Sequence, residues 1–106
     1  MANYFKDIQR GVTFGGRMIK FGKNGSPLDL TGVIVEMQFR LRKEDGPIFE
    51  FKTSDNSILI TTPLNGEMYM AERCMEYPEG DYFYTLKIIF PNGTKKKPIN
   101  DRWKIY

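Results

Sequence analysis

Val33-Ile34-Val35-Glu36-Met37-Gln38-Phe39-Arg40-Leu41-Arg42 is the stretch that decides the fold class. Its odd positions are all apolar, while the even ones run Ile34, Glu36, Gln38, Arg40 and Arg42. A period of two belongs to a strand, because successive side chains leave opposite faces of the pleat. The spacing therefore predicts a strand with one buried face and one mostly wet face. Just beyond it, Glu44-Asp45-Gly46-Pro47 predicts a turn, and Ile48-Phe49-Glu50-Phe51-Lys52 the return strand.

The same period recurs outward in both directions. Ser57–Thr62 and Glu67–Glu72 read as strands, and so do Gly11–Phe14 and Arg17–Phe21, which flank a bulge expected at Gly15-Gly16. Asp81–Phe90 is apolar on one face and mixed on the other, the pattern of a central strand covered on both sides. Asp101–Tyr106 closes the series with Trp103 and Ile105 pointing inward. Asn24-Gly25, Asn65-Gly66 and Asn92-Gly93 punctuate the runs, and both residue types tolerate the positive φ of hairpin turns. About seven short strands with such turns predict an all-β chain. The expected architecture is a single antiparallel β-sandwich of immunoglobulin-like type over residues 1–106, with a small barrel as the other solution.

Composition narrows the chemistry. The 106 residues carry 16 Lys+Arg against 13 Asp+Glu, a net charge of +3. No His is present, which removes the commonest general base and the imidazole metal ligand. Cys74 is the only cysteine, so neither an intramolecular disulfide nor a Cys/His zinc site can form, in keeping with a reducing compartment. No Gly-rich stretch ends in Gly-Lys-Ser or Gly-Lys-Thr, and Asp29, Glu36, Glu44, Asp45, Glu50 and Glu67 sit mostly singly, in turns or on strands, with nothing marking two of them as a working pair. The expectation is a non-enzymatic protein with no cofactor and no metal. A charge of +3 without interleaved basic and aromatic residues predicts no nucleic-acid partner. The lack of an apolar run near 20 residues, and of a signal-peptide pattern in Met1–Asp7, predicts no membrane association.

Several features carry a functional reading beside a plain one. Pro78-Glu79-Gly80-Asp81-Tyr82-Phe83-Tyr84 reads as the approach to a core strand bearing a corner tyrosine that bonds nearby backbone. Its rival is an aromatic platform: Phe83, Tyr69 and Tyr77 aligned on an exposed face would make the chain a small carbohydrate-binding module. Lys95-Lys96-Lys97-Pro98 reads as a solvated loop after the Asn92-Gly93 turn, or as a contact for an anionic partner surface. Asn24-Gly25-Ser26 and Asn92-Gly93-Thr94 match the glycosylation acceptor but read as turns. Cys74 is expected to pack as a small hydrophobe, and Met68, Met70 and Met75 to fill the core. In Pro27–Gly32, Pro27 presets φ, Asp29 and Thr31 can bond nearby amides, and Gly32 permits a sharp turn into the next strand.

Ile8-Gln9-Arg10-Gly11-Val12-Thr13-Phe14, Gly25-Ser26-Pro27-Leu28-Asp29-Leu30-Thr31-Gly32, Met37-Gln38-Phe39-Arg40 and Pro78–Tyr84 follow one another in an order that resembles a known family. It is that of small tail and baseplate proteins of bacteriophages and prophages, in particular the N-terminal sandwich domain of siphophage upper baseplate proteins. The likeness runs from about Ile8 to Ile105 and departs at Lys97-Pro98-Ile99-Asn100-Asp101, where the relatives close with a Gly-containing hairpin. It implies a virion component made in the bacterial cytoplasm, with other tail proteins as partners and self-association through sheet edges as a further route. On that reading Glu36, Arg40 and Arg42 on the mixed strand face, with Lys95, Lys96 and Lys97, are the interface candidates; a merely solvated face is the plain alternative.

Overall fold

The computed structural model describes residues 5–23, 25–42 and 44–106. Its strands in chain order are β1 (Thr13–Phe14), β2 (Arg17–Lys20), β3 (Gly22–Lys23), β4 (Ser26–Pro27), β5 (Ile34–Arg40), β6 (Phe49–Lys52), β7 (Ile58–Thr62), β8 (Glu67–Met70), β9 (Arg73–Cys74), β10 (Gly80–Ile89) and β11 (Lys95–Ile105). There are more segments than the seven expected. The surplus has a simple origin: β1, β3, β4 and β9 are two-residue ladders where a longer extended run is cut or a turn is closed. β11-β10-β5-β6 form a four-stranded antiparallel sheet and β2-β8-β7 a three-stranded one. No ladder joins β6 or β7 to the opposite sheet among the described residues, so the two layers stay open. The chain is an all-β antiparallel sandwich, not a closed barrel.

β5 shows how the sequence builds a layer. Val35, Met37 and Phe39 are buried, while Ile34, Glu36, Gln38 and Arg40 face outward. β10 repeats the pattern with Tyr82, Tyr84, Leu86 and Ile88 inside. It is central by pairing, but its outer face is half-exposed rather than covered. The opposite sheet contributes Ile19, Ile58, Met68 and Met70 to the same core, and Met75 joins them from the segment after β9. Aromatic rings interlock across this space: Phe39 stacks on Phe49 at 4.4 Å and on Tyr84 at 5.0 Å. Each such pair is worth about 0.5–1.5 kcal/mol beyond its area burial. The corner tyrosine is Tyr82, whose hydroxyl donates to the Pro78 carbonyl at 2.5 Å. Burial pushes its phenol pKa up, with the Arg10 charge pulling the other way.

The N-terminal segment straps the two layers together. Ile8 bridges Ile105 in parallel on the free side of β11, with Ile8 N–H donating to Lys104 O at 3.0 Å and Tyr106 N–H to Ile8 O at 3.0 Å. At Gly11, where φ is +86°, the chain leaves that sheet, and Gly11 N–H donates to Met75 O on the other. From there β1 and β2 run against β9 and β8 in one continuous register, Phe14 opposite Arg73 and Arg17 opposite Met70. Gly15-Gly16 is therefore an opening in that ribbon and not the bulge expected, since no extra residue is inserted on either side.

Bulges lie elsewhere. The β10–β11 register shifts between Leu86 and Ile88, opposite Lys97-Pro98, and the β7–β8 register shifts between Leu59 and Thr62. The Asn65-Gly66 and Asn92-Gly93 turns form as expected: Gly66 (φ +69°) follows a short 3-10 turn at Pro63–Asn65, and Asn92 Oδ1 accepts from Thr94 N–H at 2.9 Å. Asn24 lies outside the described residues. Thr31 donates to Asp29 Oδ1 through its N–H at 2.9 Å and its hydroxyl at 2.6 Å. These bonds hold the Asp29 carboxyl below the usual carboxylate range, the hydroxyl bond being the larger cause.

Candidate interaction surface

The outer face of the four-stranded sheet is built by register. Phe83 of β10 stands between Arg40 on β5 and Arg102 on β11. Thr85 stands between Gln38 and Asn100, and Glu50 of β6 continues that row beyond Gln38. Lys87 faces Glu36, which in turn faces Lys52. Ile89 lies between Ile34 and Lys95 at the end of the sheet.

Hydrogen bonds tie half of this face into one network. Arg40 Nε donates to the Asp45 carbonyl at 2.9 Å, and Arg40 Nη2 to Gln38 Oε1 at 2.9 Å. Gln38 passes its own N–H to Glu50 Oε2 at 2.9 Å, and Lys52 Nζ lies 3.5 Å from Glu50 Oε1. Glu36 pairs with Lys87 at 3.3 Å, both about 30% exposed. Ion pairs this wet contribute little to stability, about 0–1 kcal/mol each, but they set the orientation of the side chains. On β11 the picture differs: among the described residues no ion pair is found for Lys95, Lys97 or Arg102, and the Arg102 guanidinium rests 4.9 Å from the Phe83 ring.

Two shallow hollows abut on this face. One, of about 220 Å³, is lined by Arg40, Phe83, Tyr84, Thr85 and Asn100. The other, of about 160 Å³, is lined by Glu36, Gln38, Arg40, Thr85, Lys87 and Lys97. Arg40 and Thr85 form the shared wall.

The sequence-derived residues distribute unevenly. Glu36, Arg40 and Lys97 meet around the second hollow, and Lys95 stands two residues along the same strand. Arg42 lies past the end of β5, exposed and outside the network. Lys96 faces the other way: it pairs with the inward residue Ile88 and approaches the Phe90 ring at 6.0 Å, above an open cleft of about 470 Å³ that also holds Leu28 and Asp29. The three lysines are strand residues of β11, not the loop expected, because backbone pairing to β10 extends the hairpin almost to its turn. Thr85, Lys87, Asn100 and Arg102 were missed, and Phe83 was singled out only for an aromatic platform. Their alternation was readable on β10, but their company with β5 required the register.

The other candidates fall out of the surface. Tyr77 stacks on Phe49 at 4.2 Å, Phe83 lies on the outer face of one sheet, and Tyr69 sits on the other sheet with its hydroxyl on the Gly15 carbonyl. These three rings share no platform. Trp103 is buried, its indole N–H donating to the Lys6 carbonyl at 2.8 Å. Cys74 is exposed on β9 rather than packed inside. Comparison of the chain with protein-family models, with curated proteins and with solved structures finds no match.

Proposed function

We propose that this protein is a non-enzymatic structural component of a bacteriophage or prophage tail or baseplate, acting through protein–protein surfaces. The observation that carries the reading is the outer face of the four-stranded sheet. Arg40, Gln38 and Glu50 are held by hydrogen bonds there and Lys52 by its ion pair with Glu50, so a partner meets side chains whose ordering cost is already partly met. The order of motifs that resembles upper baseplate proteins supports the same reading. Two of those motifs have clear architectural work, the Asp29–Thr31 turn with Gly32 at φ +73° and the Tyr82 corner.

The test is localisation on the particle. Antibody raised against the purified chain should label the tail or its tip in phage or induced prophage particles of the strain that encodes it. Mass spectrometry of the purified particles should find the chain in fixed stoichiometry with other tail proteins. Its absence from intact particles would overturn the proposal.

A further inference from the structure

We propose that the β11 side of this face docks an extended, carboxylate-bearing segment of a protein partner. The inference rests on reading the outer face as the contact surface and adds the chemistry of what it contacts. The face divides into two halves. On β5 and β6, Glu36 and Glu50 compensate Lys87 and Lys52, and Glu50 is braced by Gln38, which Arg40 holds in turn. On β11, Lys95, Lys97 and Arg102 project from the outer side of an edge strand with no carboxylate paired to them among the described residues.

Side chains two apart on a strand are separated by roughly 7 Å along it. Arg102 and Lys97 lie two such rows apart, roughly 14 Å, so an extended peptide with acidic residues at alternate positions can set every second carboxylate against them. Asn100 and Thr85, in the row between them, offer an amide and a hydroxyl. The resulting charge complementarity gives steering and specificity.

Two features favour a protein segment over a nucleic-acid backbone. Glu36 and Glu50 stand on the same face and would repel a continuous line of phosphates. Ile34, 47% exposed, pairs with Ile89 beside Lys95, so the cationic row ends against an apolar patch that suits an aliphatic side chain. β11 does not invite the segment as an added strand, because Pro98 and the register shift break its free edge. Recognition is through side chains on the face.

The experiment is a titration of the isotope-labelled full chain with a synthetic peptide alternating Glu with Val and Thr. A peptide with Lys in place of Glu and a single-stranded DNA of equal formal charge serve as comparisons. The expected result is chemical-shift change clustered at Thr85, Lys87, Lys97, Asn100 and Arg102, and affinity that falls as salt rises. In the variant Lys97→Glu with Arg102→Glu, affinity should drop at least tenfold while the spectrum stays dispersed and Trp103 emission is unchanged. Lys20→Glu, on the opposite sheet, should bind as the parent does. Shifts elsewhere, equal binding of the Lys peptide, tighter binding of the DNA, or no binding at millimolar peptide would each overturn the inference. Particle labelling with failed peptide binding would remove only the acidic partner; absence from particles with successful binding would remove only the tail assignment.

Discussion

At the residue scale, two small side groups carry more of the architecture than their size suggests. Ser57, one of the few buried polar residues, accepts the Lys52 N–H at 2.8 Å and gives its own hydroxyl hydrogen to Asp55, while its carbonyl takes the Ala71 N–H at 2.9 Å. It thereby joins β6, the following turn, β7 and the end of β8. Ser57→Ala leaves the Lys52 amide without that partner, and urea denaturation should show a loss of about 1–3 kcal/mol. The Ser57 hydroxyl also holds the Asp55 carboxyl below its ordinary value, the largest of several causes. A depressed folded pKa contributes stability that is present above the unfolded value and lost as pH falls through the folded one. In Asp55→Asn, stability measured by urea should therefore depend less steeply on pH below about 4. Gly66 is the second case. A Cβ there would lie 2.3 Å from the Phe21 carbonyl oxygen and 2.9 Å from that of Leu28, at φ +69°. Both obstacles are backbone, so Gly66→Ala should cost well beyond the roughly 1–2 kcal/mol of a left-handed residue alone. A thermal midpoint close to the parent's would contradict this.

At the element scale, the sheet edges differ in how they are guarded. β6 is capped by Arg73, whose guanidinium donates to the Glu50 carbonyl at 2.7 Å and lies 3.9 Å from the Phe51 ring. β2 ends in Arg17 and Lys20. β11 is covered at its C-terminal end by the strap, and along Lys95–Pro98 it relies on lysines, a proline and a bulge. Such devices prevent edge-to-edge pairing. The combined change Lys95→Val, Lys97→Val and Pro98→Thr should leave the sandwich folded but yield concentration-dependent aggregates on sizing, whereas Lys95→Arg should not. The same segment explains where the sequence was hard to read. Alternation reveals β5 and β10 because burial sorts their side chains, face by face. Lys95-Lys96-Lys97-Pro98 is exposed throughout and is held as strand by backbone bonds that leave no mark on residue choice. Glu36 and Arg40 were legible as outward residues, but the β10 and β11 side chains around them belong to the face through register alone.

At the scale of the whole molecule, the sandwich depends on a contact between its two ends in sequence. The Trp103 indole bonds the Lys6 carbonyl across 97 positions of chain, and Phe5 stacks on the same ring at 4.5 Å. Phe5 also meets Phe14 at 5.8 Å and Tyr84 at 5.5 Å, so one ring touches the strap, β1, β10 and β11. No local pattern announces this, because Phe5 precedes every strand and its neighbours Lys6 and Asp7 are exposed. Yet its burial, with only 7% left exposed, places it in the core. Removing a buried phenyl ring costs about 3–5 kcal/mol, the lost transfer energy plus the cavity left behind. A domain of this size has only about 5–15 kcal/mol to lose. Phe5→Ala should therefore lower the thermal midpoint by more than ten degrees, at about 4–8 °C per kcal/mol. Trp103 is the only tryptophan, so its emission reports the site directly. The parent should emit to the blue, and the variant should shift to the red while still native, because the strap no longer shields the indole. Phe5→Leu, which refills most of the volume without the stacking, should recover most of the stability. A variant as stable as the parent, with unshifted emission, would mean that the strap rests on the sandwich without holding it closed.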